Sequence, residues 1–283
     1  MTGDEDGVNA EAFRPASSDF GATAGEVVRC RTCGHGSLLD PPEEQTIAAA
    51  YADAADPVSI REERGQIATA ARDIGAVEAV AGEARGRRLL DVGCWTGSFL
   101  VAARDRGWDV TGVEPSEWAV GRAKERGLDV LQGTLADAGW EPGTFRVVIA
   151  CDVIEHLLEP DETLATLHRL LDDEGVLFCT VPDAGSRMAR MLSGRWWAVL
   201  PMHVQYFTRH SLGLLLDRHG FDVVSMTSHP KLFSRRYYAE RLAAFVPVLG
   251  PAVARIAKPL ARQDMLTSVD FGDRVAVIAR KRT

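Results

Sequence analysis

Between Arg88 and Leu100 the chain reads R-L-L-D-V-G-C-W-T-G-S-F-L, and no other segment restricts the fold as much. An apolar run ends in Asp91, a turn with glycines at 93 and 97 follows, and an apolar helical start closes it. The pattern is that of a buried parallel strand delivering a glycine turn to a helix N-terminus, where bare backbone receives a nucleotide-like ligand. The next strand-like run, Trp108 to Val113, ends in Glu114. An acid about twenty residues beyond the turn is placed to accept both hydroxyls of a ribose. A dinucleotide turn needs a second glycine for the pyrophosphate, and here Trp95 stands in that place. A cofactor without a diphosphate is the better match.

From Arg88 to Pro182 strand-like and helix-like segments alternate, which implies a parallel sheet with helices on both faces. Phe145 to Ala150 reads as a buried fourth strand, Val176 to Pro182 as a fifth, Gly220 to Met226 as a sixth and Arg274 to Arg280 as a last. Upstream, Glu43 to Tyr51 and Arg61 to Ala84 carry helical spacing rich in alanine.

These motifs, in this order, resemble class I S-adenosylmethionine-dependent methyltransferases. The first motif of that family is acid-x-Gly-x-x-x-Gly, and Cys151-Asp-Val-Ile-Glu-His-Leu157 resembles the "EH" signature of its ubiquinone-biosynthesis-type branch. The likeness runs over residues 60 to 281. It implies an α/β fold, a Rossmann-like seven-stranded, mostly parallel sheet with helices on both faces. The last strand would lie antiparallel between the fifth and sixth, with helical N-terminal and inserted cap elements. It implies S-adenosyl-L-methionine as cofactor, with Asp91, Gly93, Cys94 and Gly97 at the methionine part and Glu114 on the ribose. By the same resemblance Thr134 and Leu135 touch the adenine, and Asp152 or its backbone lies near the methionine end.

A hydroxyl acceptor benefits from a base poised near neutral pH, and histidine is suited to that. His156 follows the fourth strand at the edge where open α/β sheets bind ligands. His203 lies in an aromatic segment, Arg195 to Phe207, expected to roof the substrate site with Trp196, Trp197, Tyr206 and Phe207. These two are the candidate catalytic residues. The same aromatics could instead pack the segment onto the core. Asp152, Glu155 and His156 have the ligand types for a divalent ion, but acids and an imidazole at this spacing also serve as caps and pairs. No metal is assigned to them.

At 283 residues the chain holds one large core with additions. Its net charge of −8 argues against broad nucleic-acid binding, and no Asn/Asp-Pro-Pro-aromatic motif of base methylation follows the fourth strand. No apolar run reaches the ~18 residues of a membrane span, and the acidic N-terminus does not read as a signal peptide. Five scattered cysteines suit the cytoplasm. Residues 1–25 are too poor in large apolar groups to offset the entropy of ordering and read as a disordered tail. The Cys-pair segment follows at 26–42, N-terminal helices at 43–87, the cofactor core at 88–182 and the substrate-side elements at 183–283. Cys30 and Cys33 form one C-x-x-C, half of a zinc site. Sugar C-methyltransferases of the resembled family carry a fuller N-terminal zinc module, so this pair reads as its vestige. From Lys231 to Gln263 apolar and basic residues mix on mostly helical segments, which read as core-packed cap helices, a dimer contact, or a surface for a membrane or lipid-linked substrate. Oligomeric state is left open. The methyl acceptor expected is a small molecule, a sugar, glycolipid or secondary metabolite, methylated at oxygen. The alternatives are a cofactor-binding scaffold without turnover and a nucleic-acid methyltransferase.

Overall fold

The computed structural model describes residues 23–56, 60–238 and 265–283. Its elements begin with β1 (Val27–Arg29), β2 (Gly36–Leu38), α1 (Glu44–Ala52) and α2 (Glu63–Ala81). The core follows as β3 (Arg88–Val92), α3 (Ser98–Arg104), β4 (Asp109–Glu114), α4 (Glu117–Glu125), β5 (Val130–Gln132), β6 (Phe145–Cys151), α5 (Pro160–Leu170) and β7 (Leu171–Pro182). Then come α6 (Arg187–Leu192), β8 (Gln205–Tyr206), α7 (Arg209–Arg218), β9 (Phe221–Ser228), β10 (Leu232–Ser234), β11 (Leu266–Ser268) and β12 (Arg274–Lys281).

Seven strands share one sheet in the order β5-β4-β3-β6-β7-β12-β9. All pairs are parallel except those of β12, which runs antiparallel between β7 and β9. The seven-stranded sheet and its reversed last strand, between β7 and β9, are those expected from the sequence. Strand side chains alternate between faces, so neighbours enter different cores. Leu89, Ile149, Phe178 and Ile278 pack with Ile74 and Val77 of α2 and Leu100 of α3. Leu90, Val148, Leu177 and Val277 pack with Leu164 and Leu167 of α5 and Leu212 and Leu216 of α7. Burial on both faces explains why the strands are near-continuous apolar runs rather than alternating ones. Helix starts follow local chemistry: Pro160 opens α5 with Asp161 and Glu162 in its first turn, and the Thr208 hydroxyl caps α7 by accepting from Ser211 N.

Three segments differ from the sequence reading. The fifth strand, read from Val176, begins at Leu171 and carries a bulge ahead of Val176. The register with β6 jumps from Phe145↔Leu171 to Val147↔Val176, and residues 172–175 swing out. The Cys-pair segment is a hairpin, β1 and β2, that pairs through β2 with β8 in a second sheet. Where helix was expected from Lys231, β10 pairs antiparallel with β11. It docks on α2: the Thr69 hydroxyl accepts from Leu232 N, and the Glu62 carboxylate accepts from Ser234 N and Oγ. The remainder of the proposed cap helices (239–264) and most of the proposed tail (1–22) lie outside the described residues. Among the described residues no helix is long and apolar enough to cross a membrane.

Candidate active site

The C-terminal ends of β3, β4 and β6 open on a cavity of about 1490 Å³, lined also by α1 and by residues around Trp197 and Leu232. Its cofactor half is built on the glycine turn. Gly93 and Gly97 have φ of +64° and +82°, which side-chain-bearing residues rarely adopt. A Cβ on Gly97 would also lie 2.2 Å from Leu128 Cδ1. Trp95 takes φ +48° without being glycine, a conformation that costs roughly 1–2 kcal/mol. Its N–H donates to Glu114 Oε2 at 2.9 Å, and its ring lies 5.4 Å from that of Trp118. The turn thus accommodates tryptophan by leaning it against α4.

Glu114 also accepts from Ser116 N through Oε1 at 2.9 Å. Burial raises its carboxyl, and those two N–H groups oppose the rise. Asp91, at the end of β3, is pushed well above the usual carboxylate range by burial and by the charge of Glu114. Cys94 lines the cavity, but its thiol packs against β4 beside Gly112, so it offers main chain rather than sulfur. Thr134 and Leu135 line the opposite wall, and Asp137 braces their loop by accepting from Thr134 N at 2.7 Å and Oγ1 at 2.8 Å.

The other half gathers residues far apart in sequence. His156 sits on a single helical turn, Ile154–His156, just past β6. Its Nδ1 is 2.6 Å from the Tyr51 hydroxyl and 3.0 Å from the Met202 carbonyl. His203 Nδ1 is 2.8 Å from the Ala198 carbonyl. The Ala198 carbonyl only accepts, so the His203 ring carries its proton on Nδ1 and leaves Nε2 a lone pair. His156 Nδ1 faces a hydroxyl and a carbonyl at once and either accepts from Tyr51 or donates to Met202. The rings meet edge to face with centroids 4.7 Å apart. Burial drives His156 down to about 4, and burial with the neighbouring His156 drives His203 down to about 3, so both are neutral at pH 7. Glu155 between them is 1% exposed, and neither carboxylate oxygen has a hydrogen-bond partner. Burial pushes it up to about 8.

Ligand-type atoms of Glu155, His156 and His203 lie within 4.8 Å of one another, a donor set suited to a divalent ion. The set weighed from sequence included Asp152 in place of His203. Asp152 turns elsewhere, with φ +57° and its carboxylate bonded to the Thr180 hydroxyl at 2.8 Å, to Lys231 and to Arg274. Of the four aromatics expected in the roof, only Trp197 lines the cavity. Trp196 is buried with Nε1 donating to Asp273 at 2.9 Å, and Tyr206 and Phe207 are packed inside. Among the other histidines, His219 pairs with Asp161 and His168 meets the Arg282 carbonyl.

Sequence reasoning missed Tyr51, Lys231 and Arg274, and it weighed Glu155 only as a ligand or cap. Tyr51 is the one aromatic in an alanine-rich helix, which was the available signal. The two cations carried none. The Cys hairpin supports this half from outside. His35 Nε2 meets Gln205 Oε1 at 3.0 Å, and Gln205 Nε2 donates to the carbonyls of Leu157 and Leu158. The His35 ring lies 4.7 Å from that of Phe207, and among the described residues its ligand atoms do not gather with those of Cys30 and Cys33.

A seven-stranded sheet of this order, with a glycine turn after β3 and an acid closing β4, has the architecture of class I S-adenosylmethionine-dependent methyltransferases. Residues 66–226 match the methyltransferase domain family, and the chain belongs to it. The residues fit that cofactor, since the left-handed glycines clear a cradle and Asp91 and Glu114 face it. The chain is 26% identical over 233 residues to the C-methyltransferase NovU of Streptomyces niveus, covering 80% of this chain and 51% of that protein. Over 100 residues it is 33% identical to a ubiquinone biosynthesis O-methyltransferase of Azoarcus sp. (strain BH72), covering 33% of this chain and 43% of the relative. It thus spans about half the length of these relatives. A SAM-dependent methyltransferase from Archaeoglobus fulgidus shares the fold with a TM-score of 0.54 at 18% identity, over 80% of this chain and all of that one.

Proposed function

We propose that the chain transfers a methyl group from S-adenosylmethionine to a small-molecule acceptor, at a hydroxyl oxygen. The observation that carries this reading is that the glycine turn with Glu114 and the Glu155–His156–His203 group open on one cavity. The main chain at Gly93, Cys94 and Gly97 receives the methionine part, with Asp91 on its amino group and Asp152 beyond. Glu114 takes the ribose hydroxyls, and Thr134 and Leu135 flank the adenine. The cofactor, when bound, supplies a methyl group on a sulfonium centre. The protein's contribution is mainly alignment, which in well-oriented systems lowers a barrier by roughly 7–11 kcal/mol.

The attacking hydroxyl loses its proton as the bond forms. Nε2 of His203, or of His156 in the tautomer that donates to Met202, accepts it. Glu155 lies within reach and its carboxyl, raised to about 8, is the better matched to neutral pH. Trp197 offers a flat apolar wall for a sugar ring or a lipid-linked acceptor. A second reading, transfer to carbon, is favoured by the 26% likeness to a C-methyltransferase and uses the same proton acceptors.

The test is calorimetry with S-adenosylhomocysteine, then measurement of its release from S-adenosylmethionine across a panel of hydroxylated small molecules. We expect micromolar binding, with His156→Ala and His203→Ala keeping it while turnover falls at least about 100-fold, the range of general acid–base catalysis. Binding without turnover on any acceptor would leave a cofactor-binding scaffold. No binding by folded protein would overturn the assignment.

A further inference from the structure

The ends of β9 and β12 bring to Asp152 two cations that the proposed methyl transfer does not use. Lys231 Nζ and Arg274 both donate to the Asp152 carboxylate, two cations on one anion. The three side chains line the cavity and are about a quarter exposed, at 29%, 25% and 27%. Arg274 Nε, a buried donor, has no acceptor at all. His229 lies beside it, its backbone N–H bonded to the Arg274 carbonyl at 3.1 Å. The His229 ring donates from Nε2 to Asp73 at 2.7 Å, and its buried Nδ1 has no partner.

A structural ion pair would not be assembled this way. One carboxylate balances one cation and leaves a net positive charge partly withdrawn from water, which is costly unless a second anion arrives. The other acids nearby do not supply it. Asp73 accepts from Arg72 and the His229 ring, Asp273 accepts from Trp196, Asp270 is held by Ser228 and the Gly272 N–H, and Glu155 groups with His156 and His203. An Arg N–H without an acceptor, next to a lysine, is the donor set that recognises a carboxylate or phosphate.

We propose that Lys231 and Arg274 form an oxyanion subsite in the cavity. The ligand is a carboxylate or a phosphate. Two sources offer that chemistry, an acidic group on the methyl acceptor and the carboxylate of the cofactor's methionine part. The first makes the acceptor an acid or a phosphorylated compound, with its charge held a short distance from Glu155. The second makes Lys231 a cofactor-positioning residue supplied from the far side of the sheet. The second rests on the cofactor reading above; the first needs only the cavity.

The experiment uses the full chain and Lys231→Met, with Lys231→Arg as the control that keeps the charge. Calorimetry measures S-adenosylhomocysteine, methylthioadenosine, which lacks the carboxylate, and inorganic phosphate titrated into protein with and without S-adenosylhomocysteine. If the cofactor supplies the anion, Lys231→Met weakens S-adenosylhomocysteine about 10- to 100-fold and spares methylthioadenosine, the range for one charged hydrogen bond. If the acceptor supplies it, phosphate binds the loaded protein, and Lys231→Met abolishes that binding while sparing both nucleosides. Lys231→Arg should restore either effect. The subsite is overturned if Lys231→Met, folded by its circular dichroism and melting profile, alters neither carboxylate discrimination nor phosphate binding. Should wild-type protein bind neither nucleoside, the cofactor reading fails by itself, and phosphate binding by the unloaded protein still decides the subsite.

Discussion

The two halves of the cavity are made in opposite ways. The cofactor half comes from 45 consecutive positions, Asp91 to Leu135, and works largely through main chain held in left-handed turns. The acceptor half draws on Tyr51, Glu155, His156, Trp197, His203, Lys231 and Arg274, and works through side chains. In the first, a strand, a turn and a helix place the ligand groups by local geometry. In the second, each group is placed by packing against segments distant in sequence: His156 is oriented by Tyr51 and Met202, and His203 by Ala198. The lesson is that one cavity can be rigid by short-range geometry on one side and by tertiary contacts on the other. Substitutions should therefore separate the two.

The largest separation is expected from Glu114→Ala. Loss of the ribose acid should weaken S-adenosylhomocysteine by about 2–4 kcal/mol, the scale of two charged hydrogen bonds. Unchanged affinity by calorimetry would remove Glu114 from the cofactor site. Next comes Gly97→Ala, which meets both a left-handed backbone and the Leu128 side chain. It should cost about 1–3 kcal/mol in urea unfolding, the usual range for overpacking, and lower cofactor affinity with it. A substitution as mild as a surface change would mean that the turn has room the structure denies it.

The acceptor half should reveal itself through pH. His156 and His203 have folded pKa values below that of free histidine, so the unfolded chain binds more protons as pH falls from about 6.5. Their contribution to stability is present above that value and is lost as pH falls toward about 4 for His156 and about 3 for His203. Each costs up to about 1.4 kcal/mol per pH unit in that window. Urea unfolding between pH 7 and 5 should be flatter for His156→Gln than for wild type. Equal slopes would mean that the ring is hydrated. Glu155 acts in the opposite sense: its raised pKa makes folding progressively less favourable from about 4.5 up to about 8, so Glu155→Gln should gain stability at pH 7. A loss there would show that the charged carboxylate is held by a partner, such as a metal ion.

The smallest effect is expected at the rim. Cys30→Ser should shift stability by no more than about 0.5 kcal/mol, as for an exposed side chain, and leave cofactor affinity alone. Backbone N–H groups at Cys33 and Thr32 lower the Cys30 thiol to about 7, so alkylation should be fast at neutral pH and equally without consequence for binding. A melting temperature that rises with added zinc, and not in Cys30→Ser, would show that the hairpin still holds metal.

The contrast between the halves also sets what could be read in advance. Strand order is a property of the family pattern, and the apolar runs of β3, β6 and β7 announced burial on both faces. The turn that carries Gly93 and Gly97, and the strand ends at Asp91 and Glu114, were legible because strand–turn–helix geometry is local and the residue types it needs are few. His156 and His203 could be named as bases but not as neighbours, since 47 positions separate them and only the path of residues 196–204 brings the rings to 4.7 Å. The roof aromatics show the reverse error. Four rings in one segment suggested a wall, and the fold used three of them as packing because Asp273 and the second sheet gave them partners.

By itself the sequence determined the sheet and the glycine turn between β3 and α3, because each depends on backbone freedom and side-chain periodicity over a dozen residues. Only the tertiary structure decided that Asp152 answers to two cations, that Tyr51 reaches His156 and that Glu155 stands without a partner. Those facts depend on desolvation and on distances between segments up to 122 positions apart (Asp152 to Arg274), and neither is written in local pattern.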